Sequence, residues 1–239
     1  MRLGNMRLAA DDRLFVLTGA GISAESGLAT FRGSGGLWNG YRVDQVATPE
    51  AWQADPLLVW QFYSMRRRDA LAAEPNAAHK ALAAIEQRLG DRFYLCTQNV
   101  DDLHERGGSE RVHHMHGSLF ESRCIRCAAP YADRRFYEMA EDLPKCEDCG
   151  QPVRPNIVWF GEVPLDMDGI YRQLDRATVV LVVGTSGSVY PAAGFVNIAN
   201  QRGIRTVYVG PEEPLNAAAF DDVILGTATQ VLPQLLSPS

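Results

Sequence analysis

Five apolar runs, each giving way to glycine or polar residues, restrict the fold of this chain more than any other feature. They are "RLFVLTGAGIS" (13–23), "RFYLCTQNVD" (92–101), "ATVVLVVGTSGSV" (177–189), "IRTVYVG" (204–210) and "DDVILGTA" (221–228). Val, Ile and Leu follow one another there without the alternation of a half-exposed strand. Both faces must therefore be covered, as in a parallel sheet. Between the runs, helical patterns occupy 56–73, 76–89, 168–176, 191–202 and 229–236. Strand, polar turn and helix in repeated order predict an α/β fold with a doubly wound parallel sheet. Residues 120–153 break the rhythm. They hold four of the five cysteines and read as a small insert, leaving 1–119 and 154–239 as the main domain, with a helical and loop excursion at about 25–75.

Ligands of such a sheet bind beyond the carboxyl ends of its strands. The polar endings gather there: Thr18, Gly19, Ala20 and Gly21; Thr97, Gln98, Asn99, Val100 and Asp101; Gly184, Thr185 and Ser186; and Gly210. "GAGISA" (19–24) fits G-x-G-x-x-G/A directly after a strand, so its glycines allow a tight turn and close approach to a pyrophosphate. Such turns also occur for structural reasons alone. The acidic residue that a dehydrogenase carries at the end of its second strand, ~20 residues on, is missing. In its place "SGLATFRGSGGLW" (26–38) reads as a loop closing over the ligand, with Arg32 as a phosphate or substrate contact. A dinucleotide site is implied, but not an ordinary dehydrogenase one.

Cys124, Cys127, Cys146 and Cys149 form C-x2-C-x18-C-x2-C, the spacing of a zinc ribbon. Four thiolates complete a tetrahedron and leave no open position, which makes the expected Zn2+ structural. Cys96, in mid-strand, reads as a buried inert thiol. "VHHMHGSL" (112–119) holds three of the five histidines. Among them His116 is best placed as a general base, with a structural histidine as the alternative. His79 and His104 read as helix-surface residues. The formal net charge of −6 argues against a nucleic-acid partner, which needs a basic surface. No run approaches the ~20 apolar residues of a membrane helix, and no apolar leader follows the N-terminal arginines. A cytoplasmic protein with no membrane partner is expected, and a monomer, since no apolar stripe is left over.

At this point "GAGISAESGLATFR", "TQNVDDLH", "HMHGSL", the two cysteine pairs, "PNIVWFGE" and "GTS" stand in the order found in sirtuins, NAD-dependent protein-lysine deacylases. The chain resembles them from about residue 13 to 230, and in particular the bacterial desuccinylase and demalonylase type. The resemblance implies a Rossmann-like NAD domain carrying a small zinc module, with an acyl-lysine protein or peptide between them. It makes His116 the general base and puts Gly19, Ala20, Gly21, Arg32, Gln98, Asn99, Asp101, Gly184, Thr185 and Ser186 around NAD. The acyl oxygen would attack the ribose as nicotinamide leaves. His116 would then take a proton from a ribose hydroxyl, and the products would be free lysine, nicotinamide and O-acyl-ADP-ribose. "VWFGE" (158–162), with Val158 and Phe160, would be an extended segment pairing with the substrate backbone. One departure stands out: sirtuins usually carry an Asn after the fourth strand, and here "YVGPEEP" (208–214) puts Gly210 in that place. Ala228 would lie near the adenine.

"FYSMRRR" (62–68) raises the question of substrate. At ~100° per residue, Val59, Phe62, Tyr63, Arg66, Ala70 and Ala73 share one helix face. Gln61, Ser64 and Arg68 fall opposite and Arg67 to the side, so Arg67 and Arg68 read as a solvated basic run. Arg66, inside the apolar stripe, calls for an anion from the protein or from a ligand. Sirtuins with a Tyr-x-x-Arg pair prefer succinyl and malonyl groups, and the resemblance makes Tyr63 and Arg66 the acyl-carboxylate contacts. Two other functions use parts of the same features: an NAD-dependent mono-ADP-ribosyltransferase, and a non-catalytic NAD and zinc interaction module.

Overall fold

The structure, a computed structural model, describes residues 8–30, 37–38 and 40–237, so the expected contact Arg32 lies outside the described residues. β1 (Leu14–Thr18) is followed by 3-10 turns, a hairpin of β2 (Leu37–Trp38) and β3 (Tyr41–Arg42), and the helices α1 (Val43–Val46), α2 (Pro49–Ala54) and α3 (Pro56–Ala72). Next come α4 (Ala77–Leu89), β4 (Phe93–Thr97), α5 (Leu103–Arg106) and β5 (Val112–His114). β6 (Gly117–Cys124), β7 (Pro130–Ala132) and β8 (Val153–Ile157) form a separate antiparallel sheet in the order β7-β6-β8. α6 (Met167–Arg176), β9 (Val179–Val183), α7 (Phe195–Gln201), β10 (Arg205–Gly210), β11 (Asp222–Leu225) and α8 (Ala228–Leu235) complete the chain.

Six strands pair in the order β11-β10-β9-β1-β4-β5, all parallel. The five strands read from the sequence are all present, and so are the five helical patterns, with the fourth beginning as a 3-10 turn before α7. β5, the sixth strand, was not expected. β1 and β9 are buried along their whole length, as their unbroken apolar sequences require. Each fully buried Val or Leu there contributes roughly 1.5–3 kcal/mol. Successive side chains of β1 serve opposite faces: Leu14 and Val16 pack with Leu82 and Ile85 of α4 and Val231 and Leu232 of α8, while Phe15 and Leu17 pack with Ile170 and Leu174 of α6 and Phe195 of α7. Helices on both faces make this the doubly wound, Rossmann-like core.

The chain leaves β1 toward β4 on one side and returns to β9 on the other. The strand order therefore reverses between β1 and β9, and a crevice opens at that point.

The helix starts are written in the sequence. Thr48, Asp55 and Asn76 each accept a backbone N–H from the first turn of α2, α3 and α4, and proline occupies the first position of α2 and α3. α3 keeps only a narrow solvated strip, at Gln61 and Arg68 and on to Ala72, and is covered on its other sides. Val59, Phe62 and Tyr63 join Val46, Leu119, Ile157 and Trp159 in one cluster, while Trp60 packs with Tyr137 and Val153 beside the cysteines. The expectation that Arg67 is solvated is thus overturned: it is fully buried, and so is Ser64, opposite the apolar face. Ser64 Oγ accepts the Tyr137 N–H at 2.8 Å, and Arg67 donates to the carbonyls of Leu119 and Arg135, each at 2.5 Å. No helix among the described residues is long and apolar enough to cross a membrane.

Candidate active site

The floor of the crevice is two glycine turns pressed together. The Gly19 N–H donates to the Val183 carbonyl and the Gly21 N–H to the Gly184 carbonyl, each at 2.9 Å. A Cβ on Gly21 would stand 2.7 Å from Gly184 Cα, and Gly184 has φ +63°, so neither position accepts a side chain. Ala20 turns with them, and Thr185 and Ser186 continue the rim from β9. Further along, the Gly226 N–H donates to the Gly210 carbonyl, which brings Gly210 beside the start of α8 and Ala228. A side chain at Gly210 would collide with the Tyr208 hydroxyl, which bridges the carbonyls of Thr185 and Glu212 at 3.1 Å each. The glycine found where an Asn was expected is therefore required by Tyr208.

The loop after β4 meets this floor. Asn99 Nδ2 donates to Ser23 Oγ at 3.1 Å, and Ser23 Oγ in turn reaches Asp101 Oδ2 at 3.2 Å. Asn99 and Asp101 are both buried, and burial raises the pKa of the Asp101 carboxyl above the ordinary value. The Thr97 hydroxyl accepts the Asn99 N–H at 3.0 Å and meets Thr18 Oγ1 at 2.8 Å, and Thr18 Oγ1 lies 2.9 Å from His104 Nε2. His104 and His79, expected on helix surfaces, are buried with their rings in edge contact at 5.0 Å. The signal for this was available for His79: it stands three residues after the N-cap Asn76, and its ring accepts the Asn76 N–H.

His116 follows β5. Its Nδ1 lies 3.1 Å from the Gln98 carbonyl, an acceptor only, so Nδ1 carries the hydrogen and Nε2 keeps its lone pair. Burial pushes its pKa below the usual histidine value, leaving a neutral ring at pH 7. Two residues earlier the geometry reverses. His114 faces the Asn99 carbonyl at 3.0 Å and Glu105 Oε1 at 2.7 Å, two acceptors, so its ring needs both hydrogens. Burial works against that charge, but the Glu105 carboxylate and the Asn99 carbonyl outweigh it and the pKa is raised.

On α3, Tyr63 is fully buried and accepts the Trp159 Nε1–H at 3.0 Å; burial pushes its pKa up to about 12. Arg66, one turn on, has its pKa lowered by burial to about 10, with Tyr63 and Asp101 acting on its charge in the other direction. It remains a cation at neutral pH. Residues 158–162, expected to be extended, instead turn over. The Val158 N–H is taken by the His116 carbonyl and the Phe160 N–H by the Ala47 carbonyl, and the Glu162 N–H closes back on the Trp159 carbonyl. β8 ends before them, at Ile157.

The four cysteine sulfurs lie within 4.8 Å of one another, with pairs at 3.4, 3.5 and 3.9 Å. A tetrahedral zinc with sulfur at ~2.3 Å spaces its ligands about 3.8 Å apart, so the cluster fits that ion. The backbone N–H groups of Arg126 and Cys127 already donate to Cys124 Sγ, as they would to a thiolate. No fifth donor is needed, and the metal would bind the two knuckles together without chemistry of its own. Cys96, by contrast, is buried in β4 with its thiol pKa pushed up.

A parallel doubly wound sheet with a nucleotide crevice at its switch point, flanked by a cysteine-tetrad sheet, defines a narrow class of protein. The family model described as "Sir2 family" matches residues 19–191, well over half of the chain, and the chain belongs to that family. It is 49% identical over 224 residues to an NAD-dependent protein deacylase of Caulobacter vibrioides, covering 92% of this chain and 94% of that one. A Salmonella typhimurium protein of the same description is 48% identical over 226 residues, covering 94% and 82%. Among solved structures, a mutant Sir2 homologue in complex with ADP-ribose superimposes with a TM-score of 0.86 at 43% identity, over 93% of this chain and 90% of that one. A Sir2 homologue–NAD complex gives 0.83 at 42% identity, over 93% and 87%.

Proposed function

We propose that this Sir2 family member, an NAD-dependent protein-lysine deacylase with NAD as co-substrate, removes succinyl and malonyl groups from lysine, and acetyl groups as well. The observation that carries the acyl preference is the pair Tyr63 and Arg66 on the cleft face of α3. One is a buried hydroxyl holding its proton; the other is a guanidinium kept cationic although burial lowers its pKa to about 10. A carboxylate at the end of an acyl chain accepts from both, and the guanidinium fork suits it in bidentate fashion. Gly19, Ala20, Gly21, Gly184, Thr185 and Ser186 would cradle the pyrophosphate. Gln98, Asn99 and Asp101 would face the nicotinamide and its ribose, and Gly210 and Ala228 the adenosine. His116 would accept a proton at Nε2 from a ribose hydroxyl, with Gln98 fixing the tautomer. Val158 and Phe160 would flank the substrate backbone.

The test is mass spectrometry of acetyl-, succinyl- and malonyl-lysine peptides incubated with NAD. Arg66→Met is expected to cost ~2–4 kcal/mol in kcat/KM on the succinyl peptide, the scale for a desolvated charged contact. The acetyl peptide should lose far less, and equal losses on both would overturn the acyl preference. His116→Ala is expected to lower kcat on all three peptides by ~10²–10⁴-fold. In the unmutated enzyme, the acid limb of kcat/KM should turn at a pH below the ordinary histidine value of about 6.5, because burial lowers the His116 pKa.

A further inference from the structure

Trp159 is bound on three sides. Its backbone N–H donates to Glu162 Oε2 at 2.8 Å, and the Arg154 guanidinium lies over its ring, 3.3 Å from the centroid. Arg154 is itself anchored, bidentate on Glu162 at 2.6 and 2.9 Å and donating to the Ile157 carbonyl at 2.7 Å. The ring is 2% exposed, with Trp52 packed beside it at 6.0 Å. An indole so fixed has one polar atom to direct, and Nε1–H points at the Tyr63 hydroxyl, 3.0 Å away.

The direction of that bond matters. An indole nitrogen only donates, so Tyr63 must accept, and the phenol proton has to leave along another direction. Burial keeps the proton on, with the pKa near 12. A phenylalanine ring would fill much of the same space and leave the phenol free to rotate.

We propose that Trp159 is a specificity-positioning residue: its indole N–H occupies the Tyr63 oxygen and so aims the phenol proton at the carboxylate of an acidic acyl chain, with Arg154 and Glu162 holding the ring. This rests on the reading of Tyr63 and Arg66 given above. Trp159→Phe, in the full-length enzyme, is expected to raise KM for a succinyl-lysine peptide roughly fivefold, the scale of one neutral hydrogen bond. Its kcat should change less than KM, and the succinyl-to-acetyl efficiency ratio should fall. In a Tyr63→Phe background the same substitution should add nothing, because the hydroxyl it orients is gone. Should Trp159→Phe fold poorly, benzothienylalanine at position 159 keeps the ring shape without the N–H and must give the same ratio change. Equal losses on both peptides, or an undiminished effect in the Tyr63→Phe background, would overturn the proposal. Arg66→Met, run alongside, separates the two failures. If it discriminates between the peptides and Trp159→Phe does not, the positioning role falls alone; if neither discriminates, both fall.

Discussion

On its cleft side α3 presents Tyr63 and Arg66; on the side under the small sheet it presents Trp60, Ser64 and Arg67. Arg67 and Arg66 are consecutive, yet their charges are met in opposite ways. Arg67 is sealed in by protein groups: three carbonyls, the Ser122 hydroxyl at 3.2 Å, the Asp133 carboxylate at 3.5 Å and the face of Trp60. Arg66 lies in the fields of Tyr63, Asp101 and Asp69, with its guanidinium 6.0 Å from the Phe62 ring. One cation ties the cysteine-bearing sheet to the helix; the other is the one proposed above to meet substrate. A charge in an apolar stripe is thus no sign of function by itself.

The largest test removes what holds the small sheet under Arg67. Cys124→Ser, or chelation of the metal, should unfold the region around β6–β8, since a four-thiolate zinc contributes on the order of 10 kcal/mol. Amide exchange measured before and after chelation should register this as lost protection there, with the parallel sheet kept. Unchanged protection would mean that the sheet stands without metal. Next in size, Arg67→Met should lower unfolding free energy by about 3–5 kcal/mol, because it leaves several buried carbonyls without their donor, at about 1–3 kcal/mol each. Arg66→Met removes a charge that burial already disfavours and should shift it by less than about 1 kcal/mol. Urea denaturation of the two variants side by side decides this, and similar losses would erase the contrast.

The last test concerns pH. His79 has its pKa lowered by burial to about 4, and burial carries that of His104 well below its usual value. Unfolded, both rings titrate near 6.5, so below that pH the unfolded chain binds more protons than the folded one. Stability is therefore full above pH ~6.5 and falls on acidification, by up to about 1.4 kcal/mol per pH unit for each ring, until the folded pKa is reached. Denaturation midpoints between pH 7 and 4.5 should show a shallower slope in His79→Gln than in the unmutated chain. An unaltered slope would mean that the His79 ring is solvated.

The sequence made much of the parallel sheet legible and little of α3. Residues 179–183, "VVLVV", allow one environment, covered on both faces, and the structure has it. β5 was missed because three residues on a sheet edge, two of them histidine, carry no apolar run. Periodicity alone placed Arg67 in solvent and Ser64 off the apolar face, since the groups that bury them come from residues 119–137, more than fifty positions away. No helical wheel contains that information. Residues 158–162 turned where extension was expected because the Glu162 carboxylate and the carbonyls of Ala47 and His116 captured their N–H groups. The polar endings of the strands fared better: sheet topology brings Gly19–Gly21 against Gly184, and the absence of side chains there lets the two turns touch.

That last contact has a consequence for anyone who would re-engineer the enzyme. Gly21 and Gly184 meet main chain to main chain, so the base of the groove cannot be deepened or widened by exchanging amino acids there. Tolerance for an altered nucleotide must be sought higher up, where Ser186 and the start of α8 still have side chains to trade.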